Sequence, residues 1–391
     1  MAVVPREILL FDFISHENMH LPFNEEYLRT LRAAFPDDGI VFYARAGHAN
    51  NIMARVPDLT GIRFESCEPF SAPLGLSSHN PIGGLLASRR CLRIMRHEIA
   101  GRDLRLVAVL GVNGNLYATI GLHWHRTSQS PLHLILHGQL GDAMIWRSRN
   151  PLARAFDLAS QVRHSLPPSV KLVALELGVK EAIADLAPEN RSVITLEHPI
   201  LVSEWSKDRP PANRHKLKIA FLGNARRSKG FEIFAELARR SKRTDLEFDS
   251  IGVSAPDTDQ LDIEALSRKP SRTAMAREDY LEAVRGIDLV CLPLHGRAYD
   301  FTASGTVADA VSALKPLIAF RSRTLDAITA RYGPIGWLVE SDVELFELVG
   351  ALELQAFSDL RPKWVENLRK MREARRPEAL AGAYAALIAA P

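Results

Sequence analysis

The feature that most constrains this chain is an alternation: short, almost wholly apolar runs separated by stretches with helical spacing. In the first half the runs are Ile8–Ile14, Gly39–Tyr43, Ile62–Ser66, Leu104–Leu110, Leu132–Leu136, Lys171–Leu175 and Val193–Leu196. Runs with few alternating polar residues read as strands covered on both faces, and strands alternating with helices read as βαβ units of a parallel sheet. Between them, Asn24–Phe35 carries Leu28, Leu31 and Phe35 at helical spacing. Gly84–Ala100 carries Leu85, Leu86, Leu92 and Met95 beside Arg89, Arg90, Arg93 and Arg96.

The alternation lapses over Ser203–His215, SEWSKDRPPANRH, where two prolines and mostly polar residues leave nothing from which to build a core element. It restarts with strands at Leu217–Leu222, Leu246–Gly252, Leu289–Leu294 and Pro316–Phe320, and helices at Gly230–Arg240, Tyr280–Val284 and Thr306–Leu314. A length of 391 residues suits two cores better than one. The expected organisation is therefore an α/β domain over 1–202, a linker over 203–215, a second α/β domain over 216–365 and a C-terminal helix over 366–391 that crosses back to the first domain. Two Rossmann-like, doubly wound domains joined by one linker are expected to face a central cleft, with ligands at the carboxyl ends of the strands.

Charge removes one class of function. Forty-nine Lys and Arg against 46 Asp and Glu leave +3, too balanced for a chain that neutralises many backbone phosphates, so no nucleic-acid partner is expected. Cys67, Cys91 and Cys291 are too scattered for a disulfide framework, which fits a reducing, cytoplasmic setting. MAVVPREILLFDFISHEN reads as a first strand rather than a secretory leader, and no run reaches the roughly 18 apolar residues a spanning helix needs. GxGxxG after a strand, GxxxxGK[ST] and GxSxG are all absent from the sequence.

The most informative stretch is YDFTASGTVADAVSALKPLI at Tyr299–Ile318. Ala303, Ser304, Gly305 and Thr306 stand just before a helical pattern, with Asp309 in its first turn. Glycine admits close backbone approach, the hydroxyls cap, and the free N–H groups of the first turn favour an anion. This segment resembles the donor-binding loop and helix of GT-B glycosyltransferases, of the family 4/1-like kind. The resemblance implies that Ser304, Gly305 and Thr306 contact a sugar nucleotide's pyrophosphate and that Asp309 holds the ribose hydroxyls. LKIAFLGNARRSKGFEIFAELA at Leu217–Ala238 resembles the strand, phosphate-contacting loop and helix that open the donor domain, placing Gly223, Asn224, Arg227 and Lys229 in that loop. LEFDSIGV at Leu246–Val253 and DYLEAVRGIDLVCLPL at Asp279–Leu294 complete an order of segments running to about Ser341. Two positions depart from the family: Asn224 stands where an arginine is usual after the loop glycine, and Phe301 stands where the first of two acids eight residues apart is usual.

In the first domain the resemblance extends to the α/β pattern and to a histidine, His137, ending an apolar strand in HLILHGQLGD. An imidazole there can position a donor sugar or act as a base, and Asp142 is a further candidate base. His16–His20, HENMH, formally satisfies the HExxH zinc pattern, but it follows directly on a strand rather than lying on a helix. His16 and His20 are expected instead on the loop after the first strand, as candidate bases toward an acceptor hydroxyl.

The resemblance implies a glycosyltransferase that uses a nucleotide-diphosphate sugar as co-substrate, with no metal or other cofactor required. The acceptor is expected to be a glycan or a lipid-linked molecule, in bacterial exopolysaccharide or envelope assembly. The basic face of Gly84–Ala100 admits peripheral contact with the inner face of a membrane, against the simpler reading of a solvated helix. Two rivals accompany this reading: a GT-B-shaped nucleotide-sugar epimerase or phosphorylase, and a degenerate binding or scaffold subunit.

Overall fold

A computed structural model of the protein describes residues 5–68, 81–145, 148–200, 202, 205, 216–294 and 296–389. The chain folds as two compact units. The first comprises Met1–Pro199, Asp300–Ala303 and Arg375–Pro391, and the second Ile200–Tyr299 and Ser304–Ala374. The linker expected over 203–215 lies outside the described residues except for Trp205, which is buried.

The first unit is built on seven strands: β1 (Glu7–Asp12), β2 (Gly39–Ala44), β3 (Ile62–Ser66), β4 (Leu104–Leu110), β5 (Leu132–Leu136), β6 (Val170–Ala174) and β7 (Val193–Thr195). They lie in the order β3-β2-β1-β4-β5-β6-β7, every pair parallel. Alternate residues of one strand enter different cores. Leu9, Phe11, Val107 and Val109 pack on one face, and Ile8, Leu10, Leu106 and Ala108 on the other. A period of two with both faces covered is the physical reason that these strands show no polar alternation. Strand order reverses between β1 and β4, the kind of switch point beside which α/β sheets bind ligands.

The second unit holds β8 (Leu217–Leu222), β9 (Leu246–Ile251), β10 (Leu289–Leu292), β11 (Leu317–Phe320) and β12 (Gly336–Val339), ordered β12-β11-β10-β8-β9 and again all parallel. Its switch point lies between β8 and β10. Ala220, Leu222, Val290 and Leu292 enter one core, and Ile219, Phe221, Leu289 and Cys291 the other. The α/β class and its two doubly wound parallel sheets are thus as the sequence pattern implies.

Several boundaries shift for local reasons. β1 stops at Asp12, not Ile14, because the Asp12 carboxylate turns back to accept the backbone N–H groups of Ile14 and Ser15 at 3.2 and 2.9 Å. β10 stops at Leu292 because Pro293 offers no N–H to a ladder. β12 has no counterpart in the sequence reading, although Ile335–Val339 is a short apolar run after Gly333 and Pro334. The C-terminal segment is not one helix over 366–391. One helix covers Leu354–Ala374 and another Pro377–Ala389, with Pro377 opening the second as a residue that needs no N–H partner there.

The last helix packs on Leu21–Ala34 within the first unit, where Leu380, Tyr384 and Ile388 join the apolar core and the Tyr384 and Tyr27 hydroxyls are hydrogen-bonded. Arg375, just ahead of it, makes a buried fork to Glu176 at 2.5 and 2.8 Å. Phe301 belongs to the core of the first unit as well. Among the described residues no helix is long and apolar enough to cross a membrane.

Candidate functional site

In the second unit, the loop after β8 is shaped by contacts that exclude side chains. A Cβ at Gly252 would stand 1.9 Å from the Gly223 carbonyl oxygen, and one at Gly230 would stand 1.9 Å from that of Pro293, with φ of +147° and +73°. Only glycine satisfies both demands. The Gly230 turn releases the helix Phe231–Arg240, which sinks Phe231, Phe234, Leu237 and Ala238 and leaves Glu232, Arg239 and Arg240 outside.

Thr306 meets this loop: a Cβ at Gly223 would lie 3.4 Å from its Oγ1. Thr306 belongs to the helix Gly305–Ser312, whose N-cap is Ser304, the Ser304 Oγ accepting from the Val307 N–H at 3.4 Å. At Gly305 nothing lies within 4 Å of a Cβ position, so the first turn of the helix stands open beside the glycine loop. Asp309 is half-buried on the same helix, and its Oδ2 accepts a hydrogen bond from the Tyr280 hydroxyl at 2.8 Å. Burial, then the Asp309 carboxylate, hold the Tyr280 phenol well above its ordinary range, so it stays a donor.

Two basic residues of the loop are candidates for an anion. Arg227 donates its backbone N–H to the Asp257 carboxylate at 3.1 Å and its Nε to the Asp257 carbonyl at 2.8 Å, and pairs with Glu232. Lys229 is half-buried on the turn that Gly230 closes. Asn224, with its amide turned to satisfy both neighbours, donates to the Val253 carbonyl at 3.1 Å and accepts from Arg226 Nε at 3.2 Å. Gly223, Thr306 and the Ser304–Gly305 turn are therefore brought together, with Asp309 one turn further on, while Arg227 is bound to acidic neighbours.

In the first unit, the loop after β1 meets the residues after β5. His20 sits at φ +53° as the residue before the helix Leu21–Ala34, and its ring stacks on His137 with centroids 4.3 Å apart. Phe23 closes the other side, edge-on to His137 at 4.4 Å and to His198 at 5.2 Å. His137 is 6% exposed, and its Nε2 is buried without a hydrogen-bond partner. Leaving a polar atom so costs about 1–3 kcal/mol, which a bound group able to hydrogen-bond with it would recover. Burial first, and then the neighbouring His20 and His198 imidazoles, push His137 well below the usual imidazole range, so it is neutral at pH 7. Burial and the Arg375 charge take His198 down to about 4, against the contrary pull of its hydrogen bond to the Pro199 carbonyl.

His16 lies in the turn that ends with Met19 N–H donating to its carbonyl at 2.8 Å, so HENMH is not helical and its two imidazoles do not share a helix face. Among the described residues no three His, Cys, Asp or Glu side chains gather as a metal-holding group. Asp142 is exposed on the helix Gln139–Ile145, its backbone N–H donating to the Gly138 carbonyl at 3.0 Å. Sequence reasoning missed His198 and Tyr280. His198 sits one residue before a proline after the last strand of its sheet, and Tyr280 looked like an ordinary member of a short helix.

No protein-family model matches the chain, and no curated protein sequence does either. Solved structures do. A trehalose-6-phosphate structure from E. coli bound with UDP-2-fluoro glucose is 10% identical, with a TM-score of 0.63 over 97% of this chain and 98% of that one. WaaG, a glycosyltransferase involved in lipopolysaccharide biosynthesis, is 14% identical, with a TM-score of 0.61 over 98% and 100%. HepE of Anabaena, in complex with UDP, is 12% identical, with a TM-score of 0.59 over 97% and 98%. Together with the two doubly wound parallel sheets, these matches identify the fold of this chain as that of the GT-B glycosyltransferases.

Proposed function

We propose that the protein transfers a sugar from a nucleotide-diphosphate sugar to a glycan or lipid-linked acceptor. The observation that carries this reading is the meeting of Gly223, Thr306 and the Ser304-capped helix start at the end of β8, with Asp309 one turn on. Breaking a sugar–diphosphate bond leaves an anionic nucleotide, which backbone N–H groups at a helix start and the Lys229 ammonium stabilise as its charge develops. Asp309 has the chemistry to accept ribose hydroxyls, and these side chains do their electrostatic work without a metal ion. Relatives in fold that hold UDP or a UDP-sugar support the same donor class.

The neutral, buried His137 and its neighbour His20 are the bases this reading offers to an acceptor. His16 and Asp142 serve as more exposed alternatives. We place the activity in the cytoplasm, in bacterial exopolysaccharide or envelope assembly, with peripheral membrane contact through the helix Pro81–Ile99. That helix exposes Arg89, Arg90, Arg93 and Arg96 together with Ile82 and Leu86, whereas Leu92 and Met95 are spent in the core.

The test is a thermal-shift and calorimetric panel of UDP, GDP, ADP, CMP and dTDP, each with and without a chelator. One nucleotide diphosphate that raises Tm regardless of chelator, followed by turnover of its sugar, is the expected result. No shift from any of them would transfer the reading to a binding subunit that has lost its donor.

A further inference from the structure

The loop that carries His16 and His20 is not held by its own sequence. Glu17 and His20 both have positive φ, +39° and +53°, which side-chain-bearing residues adopt at a cost of about 1 kcal/mol or more each and keep only when surroundings impose it. The surroundings are a fully buried polar network. Asp12, at the end of β1, holds Ile14 and Ser15 through Oδ1 and receives Asn24 Nδ2 on Oδ2 at 2.9 Å. His48, from the helix Ala46–Arg55, places Nε2 at 3.3 Å from the same Asp12 oxygen and 2.9 Å from Asn24 Nδ2. Its other nitrogen, Nδ1, lies 2.8 Å from the Glu17 carbonyl oxygen. A ring nitrogen facing a carbonyl can only donate, so the tautomer at Nδ1 is settled by geometry. Asp12, Asn24 and His48 are 1%, 0% and 0% exposed.

We propose that this Asp12–Asn24–His48 network is a positioning device: His48 grips the Glu17 carbonyl, forces the left-handed turn at Glu17 and His20, and so lays the His20 ring on His137. The inference rests on the reading of His20 and His137 as acceptor-facing bases, and it names the residues that make them a pair. His48 itself touches neither ring; it acts through the backbone of the loop. The network is buried and rooted in β1 and two helices, so it sets the loop from a rigid base.

The test separates grip from bulk. His48→Asn keeps an amide donor near the Nδ1 position, while His48→Gln moves the donor toward Asp12 and abandons Glu17. Side-chain nitrogen–proton NMR spectra of the full chain, with His20 and His137 assigned, are expected to show ring-stacking shifts in the wild type. Those shifts persist in His48→Asn and are lost in His48→Gln, where the His137 titration midpoint climbs toward about 6.5 as its cover opens. UDP, used as a probe of the second unit, should bind all three proteins with the same Kd. Unchanged His20 and His137 signals in a folded His48→Gln protein would overturn the proposal. So would a wild type lacking a slowly exchanging His48 Nδ1–H, a check that needs no variant. Failure of UDP to bind the wild type would strike the transferase reading alone, since the imidazole spectra still decide the loop.

Discussion

The two regions that carry the functional reading are built by opposite means. In the second unit the site is made of backbone: glycines too crowded for any side chain, a capped helix start and one carboxylate held by Tyr280. In the first unit it is made of buried side chains: stacked imidazoles, an orphaned ring nitrogen and a loop bent against its own preference. A backbone site tolerates change wherever it needs no particular side chain. A side-chain site is as stable as the burial of its polar groups allows, and burial makes it sensitive to charge and pH.

The sharpest way to break that contrast is to remove a buried charge partner in the first unit. Arg375→Met leaves the Glu176 carboxylate buried without its fork, and urea unfolding is expected to show a loss of roughly 3–5 kcal/mol. A loss below about 1 kcal/mol would mean that water reaches the pair and that the first unit is less dependent on its buried polar groups than argued. In the second unit, Lys229→Ala should leave stability nearly intact while lowering kcat/KM on a nucleotide sugar by about 10²-fold. Near-normal turnover would take Lys229 out of the site.

Acid should separate the regions next. Burial lowers His133 to about 3, with Lys171 adding to it, lowers His198 to about 4, and holds His137 low as well. The unfolded chain binds protons at these histidines near pH 6.5 and the folded chain does not, so stability rises with pH between about 4 and 6.5. Each group contributes up to ~1.4 kcal/mol per pH unit in that window. His48 works the other way. Burial opposes its charge, but Asp12 and the Glu17 carbonyl outweigh burial and raise it, while Asp12 is lowered in return by the contacts that outweigh its own burial. The net expectation is a marked fall in unfolding free energy from pH 7 to pH 5, read by denaturant titration at each pH, and a flat profile would contradict the buried, neutral state of the three rings.

The smallest effects test the carboxylate. Asp309→Ala should weaken nucleotide binding by roughly 1–3 kcal/mol, and Tyr280→Phe by about 1 kcal/mol, through loss of the hydrogen bond that orients it. Calorimetry with a ribonucleotide and its 2′-deoxy counterpart checks both. If Asp309→Ala does not narrow the difference between the two, its carboxylate does not read the ribose.

The legibility of the two regions in sequence follows their construction. Gly223, Gly230 and the Ser304–Gly305–Thr306 turn are legible in sequence because a left-handed turn or a helix start shows in residue type, although the Pro293 carbonyl that also crowds Gly230 comes from far along the chain. Asn224 and Phe301 stand where the resemblance leads one to expect charged residues, and the structure gives each an occupation: Asn224 ties Arg226 to Val253, and Phe301 fills the core of the first unit. The resemblance places Arg227 in the phosphate-contacting loop; in the structure it pairs with Glu232 five residues on and with Asp257 thirty residues away, the second of which no local window contains.

From the sequence alone follow the alternation of strand and helix, the two parallel sheets and the small-residue turn before an acid, since each rests on periodicity or on a residue's own backbone freedom. Tertiary structure alone decided that His20 lies on His137, that His198 and Phe23 close the group, and that His48 reaches Glu17. Those contacts join residues tens to more than a hundred positions apart, and the burial that keeps His137 and His198 neutral is a property of the packed interior, which no stretch of sequence contains by itself.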